Sequence, residues 1–99
     1  MVSTESILNY LSQNKERFFK EYNLVKIGIF GSFARNENKV DSDIDILVEF
    51  KEDTPFLYEK KISIKNDIQS KFGLSVDICR EKYIKNIFKK QIISEVRYV

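Results

Sequence analysis

The sequence predicts an α/β fold: a small mixed β-sheet of about three strands flanked by about four helices. Two observations carry that prediction. Stretches with apolar residues at helical spacing alternate with short stretches in which apolar and polar residues take turns. The first two alternating stretches are separated by only the twelve residues 31–42. That is enough for one or two helical turns but tight for a parallel crossover, so these strands are expected to run antiparallel in a mixed sheet. The 99 residues are read as a single domain, 1–99, with no room for a second core.

Ser3 or Thr4 can cap a first helix on which Ile7, Leu11, Phe18 and Tyr22 recur, with Leu8 and Phe19 beside them. Leu24–Phe30 then switches to period two, with Val25, Ile27 and Ile29 on one face and Lys26, Gly28 and Phe30 on the other. A short helix fits after Gly31. The segment DIDILVEF alternates again, setting Ile44, Ile46, Val48 and Phe50 opposite Asp43, Asp45, Leu47 and Glu49. Thr54 and Pro55 are expected to open a second long helix lined by Leu57, Ile64, Ile68 and Phe72, with Gly73 as its left-handed cap. In LSVDIC, Leu74, Val76 and Ile78 oppose Ser75, Asp77 and Cys79. The last helical region carries Ile84, Phe88, Ile92 and Val96, with a break expected near Lys89–Lys90.

Composition narrows the chemistry. The chain has no histidine, which excludes Ser-His-Asp and Cys-His nucleophiles, a histidine base and histidine zinc sites. The single Cys79 excludes an internal disulfide and any multi-cysteine metal site. Without a run of about 18 apolar residues or a signal-like N-terminus, a cytoplasmic protein with no membrane association is expected. The net charge of +2 is unevenly spread: acids crowd residues 41–59, and bases gather after Glu81. The basic tail reads as a solvated face, and no stable nucleic-acid binding is expected from it.

Aspartate is a poor strand former, yet Asp43 and Asp45 open a strand that is otherwise apolar. Two residues apart, they project from the same side. Asp77 also lies opposite the apolar set of its strand. If both apolar faces meet one core, all three carboxylates gather on the other side. Their mutual repulsion calls for a cation, and all-oxygen ligands suit Mg2+ or Mn2+. The segment GSFAR supplies the other half of a site. Gly31 admits a phosphate close to the backbone, Ser32 adds a hydroxyl, and Arg35 is one turn later with a forked guanidinium.

Gly31-Ser32, ten intervening residues, Asp43-x-Asp45 and a later Asp77 resemble the signature of the DNA polymerase β-like nucleotidyltransferase superfamily. The chain looks like its smallest members, the minimal nucleotidyltransferases, along nearly its whole length, including the closing segment IISEVRYV. The resemblance implies that Gly31 and Ser32 bind nucleotide phosphates, that Asp43, Asp45 and Asp77 hold Mg2+, and that Asp77 acts as base toward the incoming hydroxyl. Arg35 matches a basic position frequent in the group. Asn36 departs from it, standing where relatives often carry glycine, but Asn tolerates the left-handed conformation better than most residues. Many relatives are antitoxins of HEPN/MNT toxin–antitoxin pairs of type VII kind. The implied function is transfer of AMP from ATP to a tyrosine of a HEPN-type ribonuclease toxin, in a hetero-oligomer with it. Two rivals stay open: a non-catalytic antitoxin that masks the toxin, and a nucleotidyltransferase acting on a small molecule or an RNA end.

Overall fold

The computed structural model describes residues 2–99. Four strands form one sheet: β1 (Leu24–Phe30), β2 (Ile44–Phe50), β3 (Val76–Arg80) and β4 (Arg97–Tyr98), in the order β3-β2-β1-β4. The β1/β2 and β1/β4 pairs are antiparallel and β2/β3 is parallel, so the sheet is mixed as expected. Four α-helices accompany it: α1 (Thr4–Tyr22), α2 (Gly31–Ala34), α3 (Leu57–Phe72) and α4 (Asn86–Glu95).

Helices α1 and α3 bury their apolar stripes on one face of the sheet. Ile7, Leu11 and Phe18 of α1 and Ile64 and Ile68 of α3 lose all contact with solvent against Ile27, Ile29, Ile44, Ile46 and Val48. Each such side chain contributes roughly 1.5–3 kcal/mol of transfer free energy. Helix α1 starts on a reciprocal cap in which the Ser3 hydroxyl accepts from the Ser6 N–H at 3.0 Å and Ser6 Oγ accepts from the Ser3 N–H at 3.2 Å. One residue on, the buried Thr4 hydroxyl donates to the Phe33 carbonyl at 2.6 Å. This bond and the buried Phe33 ring pin the short α2 to the rim of the core.

The sheet departs from the alternation pattern at three places. Val25 is 45% exposed while Leu24 is buried, because the β1/β2 register slips between Leu24 and Lys26. Such a bulge turns the side chains before it to the opposite face. Leu47, on the carboxylate side of β2, is fully buried, so that face is not wholly solvated. The two-residue β4 was not anticipated; it crosses β1 at Gly28, where a Cβ would lie 2.7 Å from the Arg97 carbonyl oxygen and 2.9 Å from Tyr98 Cα.

The helix ends differ too. Thr54 is turned back onto the Lys51 carbonyl, through its hydroxyl at 2.6 Å, and Asp53 and Phe56 adopt positive φ. Helix α3 therefore begins at Leu57 rather than at Thr54–Pro55. Gly73 closes it in the left-handed conformation, as expected. Helix α4 runs unbroken through Lys89–Lys90; the interruption falls earlier, at the extended Ile84 and Lys85 that follow a 3-10 turn at Glu81–Tyr83. Val96 lies beyond the last helical turn.

At the foot of the sheet, charges are matched. Glu49 receives Arg80 Nε and Nη2 at 3.1 and 2.9 Å and the backbone N–H groups of Phe50 and Lys82 at 2.9 and 3.1 Å. Burial opposes its charge, but these donors outweigh it and hold the carboxyl below its ordinary range. Gly28→Ala is expected to push β4 off the sheet, at a cost of about 1–3 kcal/mol. Native-state hydrogen exchange checks this: the Val99 amide, bonded to the Ile27 carbonyl at 3.1 Å, should lose protection first.

Candidate active site

The upper rim is where β1 ends and β2 and β3 begin. Cross-strand register sets Phe30, Asp45 and Asp77 in one row, and Gly28, Leu47 and Cys79 in the row beneath. Adjacent strands are about 4.8 Å apart, so the Asp45 and Asp77 carboxylates are immediate neighbours on one face. Asp43 is just ahead of β2, exposed, and close enough for its charge to act on Asp45. The three predicted acids thus share one rim. They are not drawn into a ready cage, however, for no cluster of three or more His, Cys, Asp or Glu positioned to hold a metal ion is found among the described residues.

Asp45 is the half-buried member. Its burial first, then the neighbouring Asp77 and Asp43 carboxylates, push its carboxyl up to about 6, with Arg35 pulling the other way. Such crowding is relieved by a cation, and Mg2+ needs only one or two carboxylates besides waters and phosphate oxygens. The residues present fit such an ion.

Gly31 follows directly after Phe30, with φ at +71°, and its backbone is set against the Asp45 side chain. A Cβ there would overlap Asp45 Oδ2 and lie 3.1 Å from its Cγ. Ser32 sits beside it in the first turn of α2, whose leading N–H groups have no partner within the helix. The turn closes through Arg35 N–H on the Gly31 carbonyl and Glu37 N–H on the Ser32 carbonyl, at 3.2 and 2.9 Å. Asn36 adopts φ of 57°, the left-handed conformation its position was expected to require.

Arg35 is tied to carboxylates. Its Nε donates to Glu37 at 3.0 Å and its Nη1 to Glu95, the last residue of α4, at 3.1 Å. Neither bond uses its Nη2 amine. Beside the aspartates, α4 stands off the carboxylate face across an apolar cleft of about 370 Å3. Phe30 and Cys79 form its floor, Ile84, Phe88 and Ile92 its roof, and Lys61, Lys85 and Arg80 border it. Sequence reading missed both the cleft and Lys61. The one available signal was the four-residue spacing of Ile84, Phe88 and Ile92.

A profile of the family described as "Nucleotidyltransferase domain" matches residues 11–99. The chain belongs to the nucleotidyltransferase family. Among relatives, it is 35% identical to "Protein adenylyltransferase MntA" of Thermococcus cleftensis over 99 residues, which cover all of this chain and 98% of that protein. Among solved structures, "Structure of putative minimal nucleotidyltransferase" superposes with a TM-score of 0.79 at 25% identity, covering 97% of this chain and 95% of the other. A toxin–antitoxin crystal structure containing AMP-PNP superposes with a TM-score of 0.66 at 17% identity, covering 87% of this chain and 69% of that one; it shares the fold. The four-strand, four-helix architecture is that of a minimal nucleotidyltransferase.

Proposed function

We propose that this nucleotidyltransferase is the antitoxin of a HEPN/MNT pair and transfers AMP from ATP to a tyrosine of its cognate HEPN-type ribonuclease, in the cytoplasm and in complex with it. Asp43 and Asp45, with Asp77, would hold Mg2+; when bound, that ion supplies positive charge to the reacting and leaving phosphates. Gly31 and Ser32 offer backbone N–H groups and a hydroxyl to the triphosphate. The apolar cleft beneath α4 has the size and lining for a nucleoside. Asp77, at the open end of the row, takes the proton from the acceptor hydroxyl. The acceptor oxygen then forms its bond to the α-phosphorus as the bond to pyrophosphate breaks. The product carries added bulk and charge, enough to block an RNA-binding surface.

The observation that carries this reading is the in-register Asp45–Asp77 pair with the Gly31 backbone against it, in a chain matching a protein adenylyltransferase along its entire length. Intact-mass spectrometry of the genomic-neighbour protein after incubation with this chain, ATP and Mg2+ tests it. Increments of AMP with wild type and none with Asp43→Asn are expected. A complex that forms while no nucleotide adds any mass overturns it in favour of masking. The masking reading has its own support in Ile87, Phe88 and Tyr83, which are 81%, 52% and 69% exposed around α4.

A further inference from the structure

The row Phe30–Asp45–Asp77 ends at a sheet edge. Strand β3 has a neighbour on one side only. The bond from the Ile44 N–H to the Ser75 carbonyl, with the parallel register Ile44↔Val76, turns the main-chain groups of Ser75, Asp77 and Cys79 toward β2. Those of Val76 and Ile78 therefore face outward. Gln69 Oε1 occupies the Val76 N–H at 3.2 Å. Ile78 is left presenting both N–H and C=O to the open edge, with no partner among the described residues.

Helix α3 walls this edge. Between them runs a cleft of about 200 Å3 in which Tyr58 and Ile62, 72% and 40% exposed, stand with Lys61 and Lys65 over the main chain of residues 76–78. Asp77 is the sole acid lining it. A strand edge facing a helix is the geometry in which an extended segment adds as a further strand. The two lysines, four apart on one helix face, make that segment acidic rather than basic.

We propose that the groove between α3 and the free edge of β3 seats an extended, acidic segment of the protein acceptor, paired to Ile78, with the modified residue placed opposite Asp77. The inference rests on the adenylyl-transfer reading and adds the acceptor's position to it. A residue paired across from Asp77 projects from the same face of the sheet, about 5 Å away. The acceptor hydroxyl so becomes the fourth member of the row, next to its base. A second copy of this chain suits the groove poorly, since two-fold pairing along β3 would oppose lysine-bearing flanks.

The test uses a fluorescein-labelled Glu- and Tyr-rich peptide, with a Lys- and Tyr-rich peptide as control, on the full chain and on Asp43→Asn, where binding is read without turnover. Fluorescence anisotropy should show the acidic peptide bound in preference, about tenfold more weakly by Lys65→Glu. Hydrogen exchange should slow at the Ile78 amide, with Asp77 and Cys79, already paired to β2, unchanged. In transfer to the genomic-neighbour protein, Lys65→Glu should raise KM for the acceptor about tenfold and leave KM for ATP alone. Equal binding of the basic peptide, or transfer and Ile78 exchange both indifferent to Lys65→Glu, overturns the groove while adenylyl transfer stands. Peptide protection at Ile78 with no transfer to any acceptor keeps the groove and sinks the adenylyl-transfer reading instead.

Discussion

Asp45→Asn is expected to abolish nucleotidyl transfer, by at least about 100-fold, and to make the protein more stable in metal-free buffer at neutral pH. The two effects have one cause. Asp45 is half-buried beside Asp77 and Asp43, and its carboxyl titrates at about 6 rather than near 3.8. A folded-state value above the unfolded one means that the native protein binds that proton more tightly. Stability is therefore greatest below about pH 4 as far as this group decides it, and falls as pH rises toward 6. Above that, the ionised carboxylate opposes the fold. Screened by its partial exposure, the effect is about 1 kcal/mol, or about 4–8 °C in Tm for a chain of this length. Asparagine keeps the shape and removes both the charge and the titration. Thermal scans from pH 4 to 8 with EDTA should show wild type declining across that window relative to Asp45→Asn. A lower Tm for the mutant at pH 7 would make the carboxylate structural.

Gly31→Ala should cost activity about 100-fold and stability about 1–3 kcal/mol. Gly73→Ala separates the causes. Both glycines sit near φ of +70°, but a Cβ at Gly73 meets nothing within 4 Å, whereas one at Gly31 runs into the Asp45 carboxylate. Gly73→Ala therefore carries only the left-handed penalty, about 1–2 kcal/mol, with transfer intact. Gly31→Ala must in addition displace Asp45 from the row. If both variants lose stability equally and both keep their kcat, Gly31 is only a turn residue. Measuring kcat at saturating nucleotide, beside Tm, distinguishes the two results.

Much of this architecture could be read in the residues because local signals agreed with the tertiary ones. The bounds of β1, the Ser3 cap, the Gly73 cap and the hairpin across residues 31–42 all follow from short-range chemistry. The shared face of Asp45 and Asp77 follows too, because each lies opposite an apolar set that must face one core; their side-by-side register does not, since a slip of two residues would keep the same face. The misses share a different physics. Val25 is exposed by a bulge that depends on the partner strand, and Leu47 is buried on the face that the alternation gave to polar residues. Strand β4 is two residues long and owes its place to a missing Cβ at Gly28, 70 residues earlier in the Gly28–Tyr98 pair. Arg35 could be picked out as a basic group at the rim, but its engagement with Glu95 needs the position of α4.

The matched charges at the foot of the sheet have an evolutionary corollary. Glu49 and Arg80 secure the same strands whose upper ends carry the crowded aspartates, so what holds the fold and what the proposed reaction would use occupy opposite ends of β2 and β3. Mutations that erase the acids leave the fastening untouched and relieve repulsion. A lineage that loses catalysis keeps its fold, and selection is then free to retain it as a pure binding subunit, recognisable by an intact Glu49–Arg80 pair beneath a neutral rim.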